Sequence, residues 1–179
     1  MRRVKLWDKE FEISHPYEEI QAAIGKMAAQ MKIDLEGKSV LFVCILNGSF
    51  MFAADLMKEL ELCDAEISFL KLASYSGTSS THEIKELIGF NENIAGRTIV
   101  ILEDIVDTGN TIEDVMKQIR AKGALEVKIA TLLFKPDAMK AKIDLDYVGI
   151  VIPNDFIVGY GLDYDRRGRN LKDIYTLVK

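Results

Sequence analysis

Apolar positions along the chain follow two rhythms, and their alternation sketches the fold. After Pro16, residues Ile20, Ala23, Ile24, Met27, Ala28 and Met31 recur at helical spacing, so a helix opens at the proline. Residues 39–46 then form an unbroken apolar run, the pattern of a strand buried on both faces. Asn47-Gly48-Ser49 breaks it, and residues 50–60 return to helical spacing. A strand is predicted over 67–72, followed by a polar stretch over 74–82 rich in Ser, Thr and Gly, and a returning strand over 84–90. Residues 91–96 turn into another apolar strand beginning at Ile99. Further on come a helix over 111–122 with Gly123 as its C-cap and a buried strand over 127–134 that stops at Lys135-Pro136. Strands over 147–152, 156–160 and 174–178 complete the pattern. Strands alternating with helices predict an α/β fold, a doubly wound and mainly parallel sheet with helices on both faces. A small hood built from the two chain ends completes one domain over residues 1–179.

Composition narrows the function classes. The 179 residues are 49% hydrophobic and 28% charged, enough for a sizeable core in one domain. Twenty-three basic against 28 acidic residues give a net charge of −5, which argues against a broad nucleic-acid-binding face. Anionic ligands must then be held by local donors and a metal. Cys44 and Cys63 are too few for a disulfide framework, and Cys44 sits within an apolar strand. No apolar run approaches the ~20 residues of a membrane span, and the basic start lacks the apolar core of a signal peptide. A cytoplasmic protein is expected, without membrane or nucleic-acid partners.

The richest chemistry lies in Ile99-Val100-Ile101-Leu102-Glu103-Asp104-Ile105-Val106-Asp107-Thr108-Gly109-Asn110-Thr111. A buried strand runs out into carboxylates, a short polar turn follows, and a helix begins. Ligands of open parallel sheets bind beyond the carboxyl ends of strands. A turn opening a helix offers free N–H groups and a positive dipole end to an anion. Thr108 and Thr111 add hydroxyl donors, while Glu103 and Asp104 face the same crevice as acceptors for sugar hydroxyls or magnesium. The plain alternative is a strand–helix turn with Asp107 or Thr108 as N-cap, but capping does not call for Glu103 and Asp104 as well. Neither a dinucleotide-binding G-x-G-x-x-G after a strand nor a P-loop occurs.

This stretch resembles the phosphoribosyl-pyrophosphate loop of the purine phosphoribosyltransferases, and nearly the whole chain resembles the hypoxanthine (hypoxanthine-guanine) branch of that family. The resemblance implies a type I phosphoribosyltransferase-like fold, magnesium as cofactor, phosphoribosyl pyrophosphate and a 6-oxopurine base as substrates, and a homodimer or homotetramer. It implies that Asp107, Thr108, Gly109, Asn110 and Thr111 bind the 5′-phosphate while Glu103 and Asp104 bind the ribose and metal. Leu46, Asn47 and Gly48 match the pyrophosphate loop, with a cis peptide between Leu46 and Asn47, and Arg169 matches its basic partner. Relatives can carry basic residues where this chain has Asn47 and Asn110, so backbone donors must do more of the holding here. Ser74 and Tyr75 correspond to a lid, and Asp163 to a metal-site residue. Lys135 corresponds to the donor that meets the purine's exocyclic oxygen, selecting 6-oxopurines over adenine. Phe156 would stack on the base while the backbone of Ile157 and Val158 reads its edge, although burial in the core is the commoner fate of a lone Phe.

The expected reaction is purine salvage: ribose 5-phosphate passes from phosphoribosyl pyrophosphate to N9 of hypoxanthine or guanine, releasing pyrophosphate, with Asp107 as the base or hydrogen-bond partner at N7. Two alternatives stay open at this point. One is a regulator of pyrimidine genes that keeps the fold but binds RNA; the other is a transferase preferring xanthine or guanine.

Overall fold

A computed structural model describes residues 2–74, 84–88 and 92–178. Two sheets make up the molecule. The larger runs through β3 (Val40–Leu46), β4 (Glu66–Ser74), β5 (Ile84–Ile88), β6 (Thr98–Val106), β7 (Glu126–Phe134) and β8 (Tyr147–Val151), in the spatial order β5-β4-β3-β6-β7-β8. β4, β3, β6, β7 and β8 are mutually parallel, and β5 returns antiparallel to β4. Helices α1 (Tyr17–Asp34) and α2 (Phe50–Leu60) cover one face and α3 (Asn110–Ala121) the other, the doubly wound arrangement expected.

β3 shows why its sequence has no polar alternation. Val40, Phe42 and Cys44 pack towards α1 and α2, while Leu41, Val43 and Ile45 pack towards α3, and all six are buried. α1 presents Ile20, Ile24, Met27, Ala28 and Met31 to that first core, and Pro16 is its N-cap. Asp173 acts from the far end of the chain: its Oδ1 accepts the N–H of Tyr17 at 2.9 Å. α3 ends one residue before the predicted helix: Lys122 is the C-cap, and Gly123 follows it with φ +87°.

The smaller sheet is the hood. β1 (Arg3–Leu6), β2 (Lys9–His15), β9 (Ile157–Val158) and β10 (Ile174–Leu177) pair antiparallel in the order β1-β2-β10-β9. A hood from the chain ends was expected, but strands before Pro16 were not. Their pattern is weak because only Phe11 is buried there, against Val158 and Tyr175. β9 is shorter than predicted because Gly159, Tyr160 and Gly161 all adopt positive φ and turn the chain off the sheet. Among the described residues, no helix is long and apolar enough to cross a membrane.

Candidate active site

The carboxyl ends of β3, β6 and β7 open towards the hood. β3 and β6 pair only as far as Cys44–Leu102, although β6 continues to Val106. Glu103 and Asp104 therefore occupy the place where the two strands part, inside the strand rather than beyond its end. Asp104 is 8% exposed and its Oδ1 accepts the N–H of Ile105 at 3.0 Å. Glu103 is half-buried as a residue, yet its Oε2 is sealed from solvent and bonds to nothing among the described residues. Burial, followed by repulsion from Asp104, drives the Glu103 carboxyl well above its ordinary range. Burial raises Asp104 as well, against opposing hydrogen bonds and the charge of Arg169. Glu103, so placed, has neither a cation nor a hydroxyl donor on Oε2 among the described residues.

The turn after β6 encloses a cavity of about 160 Å³ lined by Glu103, Asp107, Thr108, Gly109 and Thr111, among others. Gly109, not Asp107 or Thr108, is the N-cap of α3, and no side chain caps the helix. The simple capping alternative thus fails: a capping side chain would consume the very N–H groups that α3 leaves free for an anion. Gly109 is required here by its φ of +79° and by Met139, whose Sδ would lie 2.9 Å from an added Cβ. Lys140 and Ala141 donate their N–H groups to the carbonyl of Thr108, each at 3.0 Å, and so buttress the turn. No sequence pattern marks that support, because it is made by backbone.

The Leu46–Asn47 peptide is cis, as the resemblance implied. Gly48 lies against Asp104 so closely that a Cβ would overlap its carboxylate. Gly161 in turn presses against the carbonyl of Gly48. Arg169 donates from Nη1 to the carbonyl of Gly161 at 2.7 Å and pairs through Nη2 with Asp163 Oδ1 at 2.6 Å. Arg169, expected to meet the pyrophosphate, and Asp163, expected at the metal, are therefore partners of each other, and Asp163 also accepts the N–H of Arg166. Among the described residues no three side chains of the His, Cys, Asp or Glu type converge as a metal cage, so Glu103 and Asp104 are a pair separate from Asp163. Ser49 was not anticipated: fully buried, it donates to the carbonyl of Ile45 and touches Cys44 Sγ at 3.1 Å.

On the opposite side, Lys135 caps the end of β7, only 8% exposed, where its N–H bonds the carbonyl of Val106 at 3.0 Å. Phe156 is 46% exposed, so the plain alternative of burial in the core does not apply to it. Its ring is bordered by Tyr164, edge-on at 5.8 Å, and by Phe11 at 6.1 Å, and the Lys9 ammonium lies over it at 5.9 Å. Among the described residues, Ile157 and Val158 form an outer strand, paired with β10 on one side only. Their other backbone edge is thus available to a planar, hydrogen-bonding ligand. Arg166 and Arg167 are exposed, as expected, with Arg167 stacked on Trp7 at 4.2 Å. Ser74 ends β4, and Tyr75 lies outside the described residues.

Comparison with known proteins matches residues 16–165 to the phosphoribosyl transferase domain. A hypoxanthine-guanine phosphoribosyltransferase of Streptococcus pyogenes is 44% identical over 153 residues, covering 85% of this chain and 84% of that protein. The bifunctional protein TilS/HprT of Listeria monocytogenes is 39% identical over 161 residues, 89% of this chain, which spans only 25% of the Listeria protein's length. The crystal structure of a hypoxanthine phosphoribosyltransferase from Staphylococcus aureus superimposes with a TM-score of 0.88 at 38% identity, covering 93% of this chain and 91% of that one. A hypoxanthine-guanine phosphoribosyltransferase from Bacillus anthracis gives 0.87 at 34% identity, covering 93% and 98%.

Proposed function

The chain belongs to the phosphoribosyl transferase family, and from that membership we propose that it transfers ribose 5-phosphate from phosphoribosyl pyrophosphate to N9 of hypoxanthine or guanine. One observation carries the reading. The Glu103 carboxyl, whose Oε2 has no hydrogen-bond partner among the described residues, and an uncapped helix N-terminus share one cavity at the end of β6, with the buried Asp104 next along the strand. A ligand with a phosphate at one end and a hydroxylated, cation-forming ring at the other fits both halves.

Each residue then has a task. Free N–H groups at the start of α3, with the hydroxyls of Thr108 and Thr111 and the backbone of Gly109 and Asn110, hold the 5′-phosphate. Glu103 and Asp104 accept the ribose hydroxyls, and their charge favours positive charge developing at C1. The C1–oxygen bond to pyrophosphate breaks with its electron pair leaving on oxygen, while the N9 lone pair forms the new C1 bond. The purine proton passes towards Asp107, which is exposed on the turn and free to accept it. Arg169 and the backbone of Leu46, Asn47 and Gly48 stabilise the departing pyrophosphate. Lys135 donates to the 6-oxo group, Phe156 stacks on the base, and Ile157 and Val158 meet its edge. Ser74 and Tyr75 belong to a lid that excludes water from a reactive sugar cation.

Magnesium suits the same residues. The sealed, partnerless Oε2 of Glu103 beside Asp104 is an oxygen donor set wanting a cation, and magnesium commonly takes one or two carboxylates while substrate oxygens complete its shell. Asp163 is a second, separate carboxylate for it, at the pyrophosphate end. When bound, the ion supplies charge neutralisation for the leaving pyrophosphate.

The relatives, named for hypoxanthine and guanine, favour this reading over the RNA-binding regulator and over a xanthine-preferring enzyme. A cytoplasmic setting accords with two free cysteines, Cys44 buried and Cys63 exposed. The proposed assembly is a homodimer or homotetramer, to be read by light scattering. The deciding experiment offers hypoxanthine, guanine, xanthine and adenine in turn with phosphoribosyl pyrophosphate, with and without magnesium. Magnesium-dependent nucleotide formation from the first two is expected. Equal turnover of adenine, or none with any base, refutes the proposal.

A further inference from the structure

Tyr160 sits in the hood, yet its hydroxyl reaches into the main body of the molecule. The side chain is fully buried, and its Oη donates to Asp55 Oδ2 on α2 at 2.6 Å. Gln21 on α1 donates to the same carboxylate oxygen at 2.8 Å and to Tyr160 Oη at 3.3 Å. Lys58 neutralises the other carboxylate oxygen at 2.5 Å. The backbone of Tyr160 is held as firmly: its N–H bonds the carbonyl of Leu171 at 2.8 Å, although φ is +48°, a region costly for a residue with a Cβ. A ring serving only to fill space needs no hydroxyl and no carboxylate to receive it.

The location gives that bond a purpose. Two residues before Tyr160 is the edge of Val158; one residue after it, Gly161 presses on the carbonyl of Gly48. α2 begins at Phe50, two residues beyond Gly48, and Asp55 lies about 7.5 Å further along its axis at roughly 1.5 Å per residue. The Tyr160–Asp55 bond therefore ties the outer strand of the hood to the helix whose first turn carries the loop at Gly48. In the reaction proposed above, C1 travels between the ligands held at those two places, so their separation governs the transfer.

We propose that Tyr160, through Asp55, is a positioning residue that fixes the base-reading edge of Ile157 and Val158 relative to the pyrophosphate loop. The inference rests on the phosphoribosyl-transfer reading for its kinetic consequence, but its structural consequence stands apart from that reading. Tyr160→Phe keeps the ring and removes only the hydroxyl, leaving Asp55 with Gln21 and Lys58.

The test has two arms. In steady-state assays, kcat/KM for hypoxanthine should fall about tenfold, through a raised hypoxanthine KM, while KM for phosphoribosyl pyrophosphate stays within about twofold. In amide hydrogen exchange without substrates, residues 157–162 should exchange about tenfold faster while 99–103 are unchanged. A purely structural role would lower the melting temperature and the active fraction but leave both KM values where they were; that result overturns the proposal. So does unchanged exchange over 157–162. Should the native protein convert no base at all, the phosphoribosyl-transfer reading falls on its own, and the exchange arm still decides whether the hydroxyl holds the hood edge in place.

Discussion

Replacing Glu103 with Gln should make the metal-free protein more stable while crippling its chemistry. Glu103 Oε2 is enclosed without a partner, and the neighbouring Asp104 carboxylate is buried too. The Glu103 carboxyl is consequently held well above its ordinary range by burial, with Asp104 adding to the effect. The sign follows from proton counting. Between the ordinary glutamate value and the raised folded one, the native protein keeps a proton that the unfolded chain releases. Stability from this group is greatest below the ordinary value and declines as pH climbs towards the folded one. A glutamine has no proton to lose, and its amide can donate to Asp104. Relieving one uncompensated buried group is worth about 1–3 kcal/mol. At about 2–4 °C per kcal/mol for a chain of this size, the variant should melt about 2–12 °C higher near pH 8. The gain should shrink towards pH 5, and magnesium should narrow it by giving the native pair its counter-charge. Turnover should fall about 100-fold, since one negative group beside C1 is gone. Scanning calorimetry across that pH range, with and without magnesium, reads the effect. A variant that melts below the native protein at the alkaline end, metal absent, would refute the reasoning.

Other substitutions probe separate parts of the site. Gly48→Ala should drive a methyl into the Asp104 carboxylate, costing about 1–3 kcal/mol in urea unfolding and raising KM for pyrophosphate in the reverse reaction. Asp107→Asn should lower kcat far more than it weakens substrate binding, and unchanged kcat would remove Asp107 from the mechanism. Lys135→Met should erase most of the preference for hypoxanthine over adenine in a competition assay, by about 10-fold or more, while leaving phosphoribosyl pyrophosphate binding intact. Asp173→Ala should strip the Tyr17 N–H of its acceptor and lower stability by about 1–3 kcal/mol, seen as an earlier urea midpoint at an unchanged slope.

The large sheet was readable because β3, β6 and β7 are buried on both sides, which leaves long uninterrupted apolar runs. Glu103 and Asp104 stood out for the same reason: charge at the end of such a run demands explanation. What escaped detection is what backbone or distant residues build. β1 and β2 bury a single Phe11, so they carry almost no periodic signal. Nothing local marks Gly109 as the N-cap in preference to Asp107 or Thr108; its left-handed φ and the Met139 and Ala141 side chains crowding it are visible only in the fold. Tyr160 reads like one more apolar position of a strand, and only its positive φ and the carboxylate of Asp55 reveal otherwise. Arg169 and Asp163 were legible separately, but their 2.6 Å pairing depends on a loop closure that spacing alone does not specify.

The pairing of β2 with β10 sets an order of events during synthesis. Ile13 faces Tyr175 across that ladder, so β2, which can pair with β1 at once as a local hairpin, must wait for β10 before its other edge is filled. Such distant closures slow folding, because the entropy of a long loop is lost before contacts offset it. A nascent chain can assemble its parallel core and phosphate-binding turn first, and recognition of the nucleobase matures last.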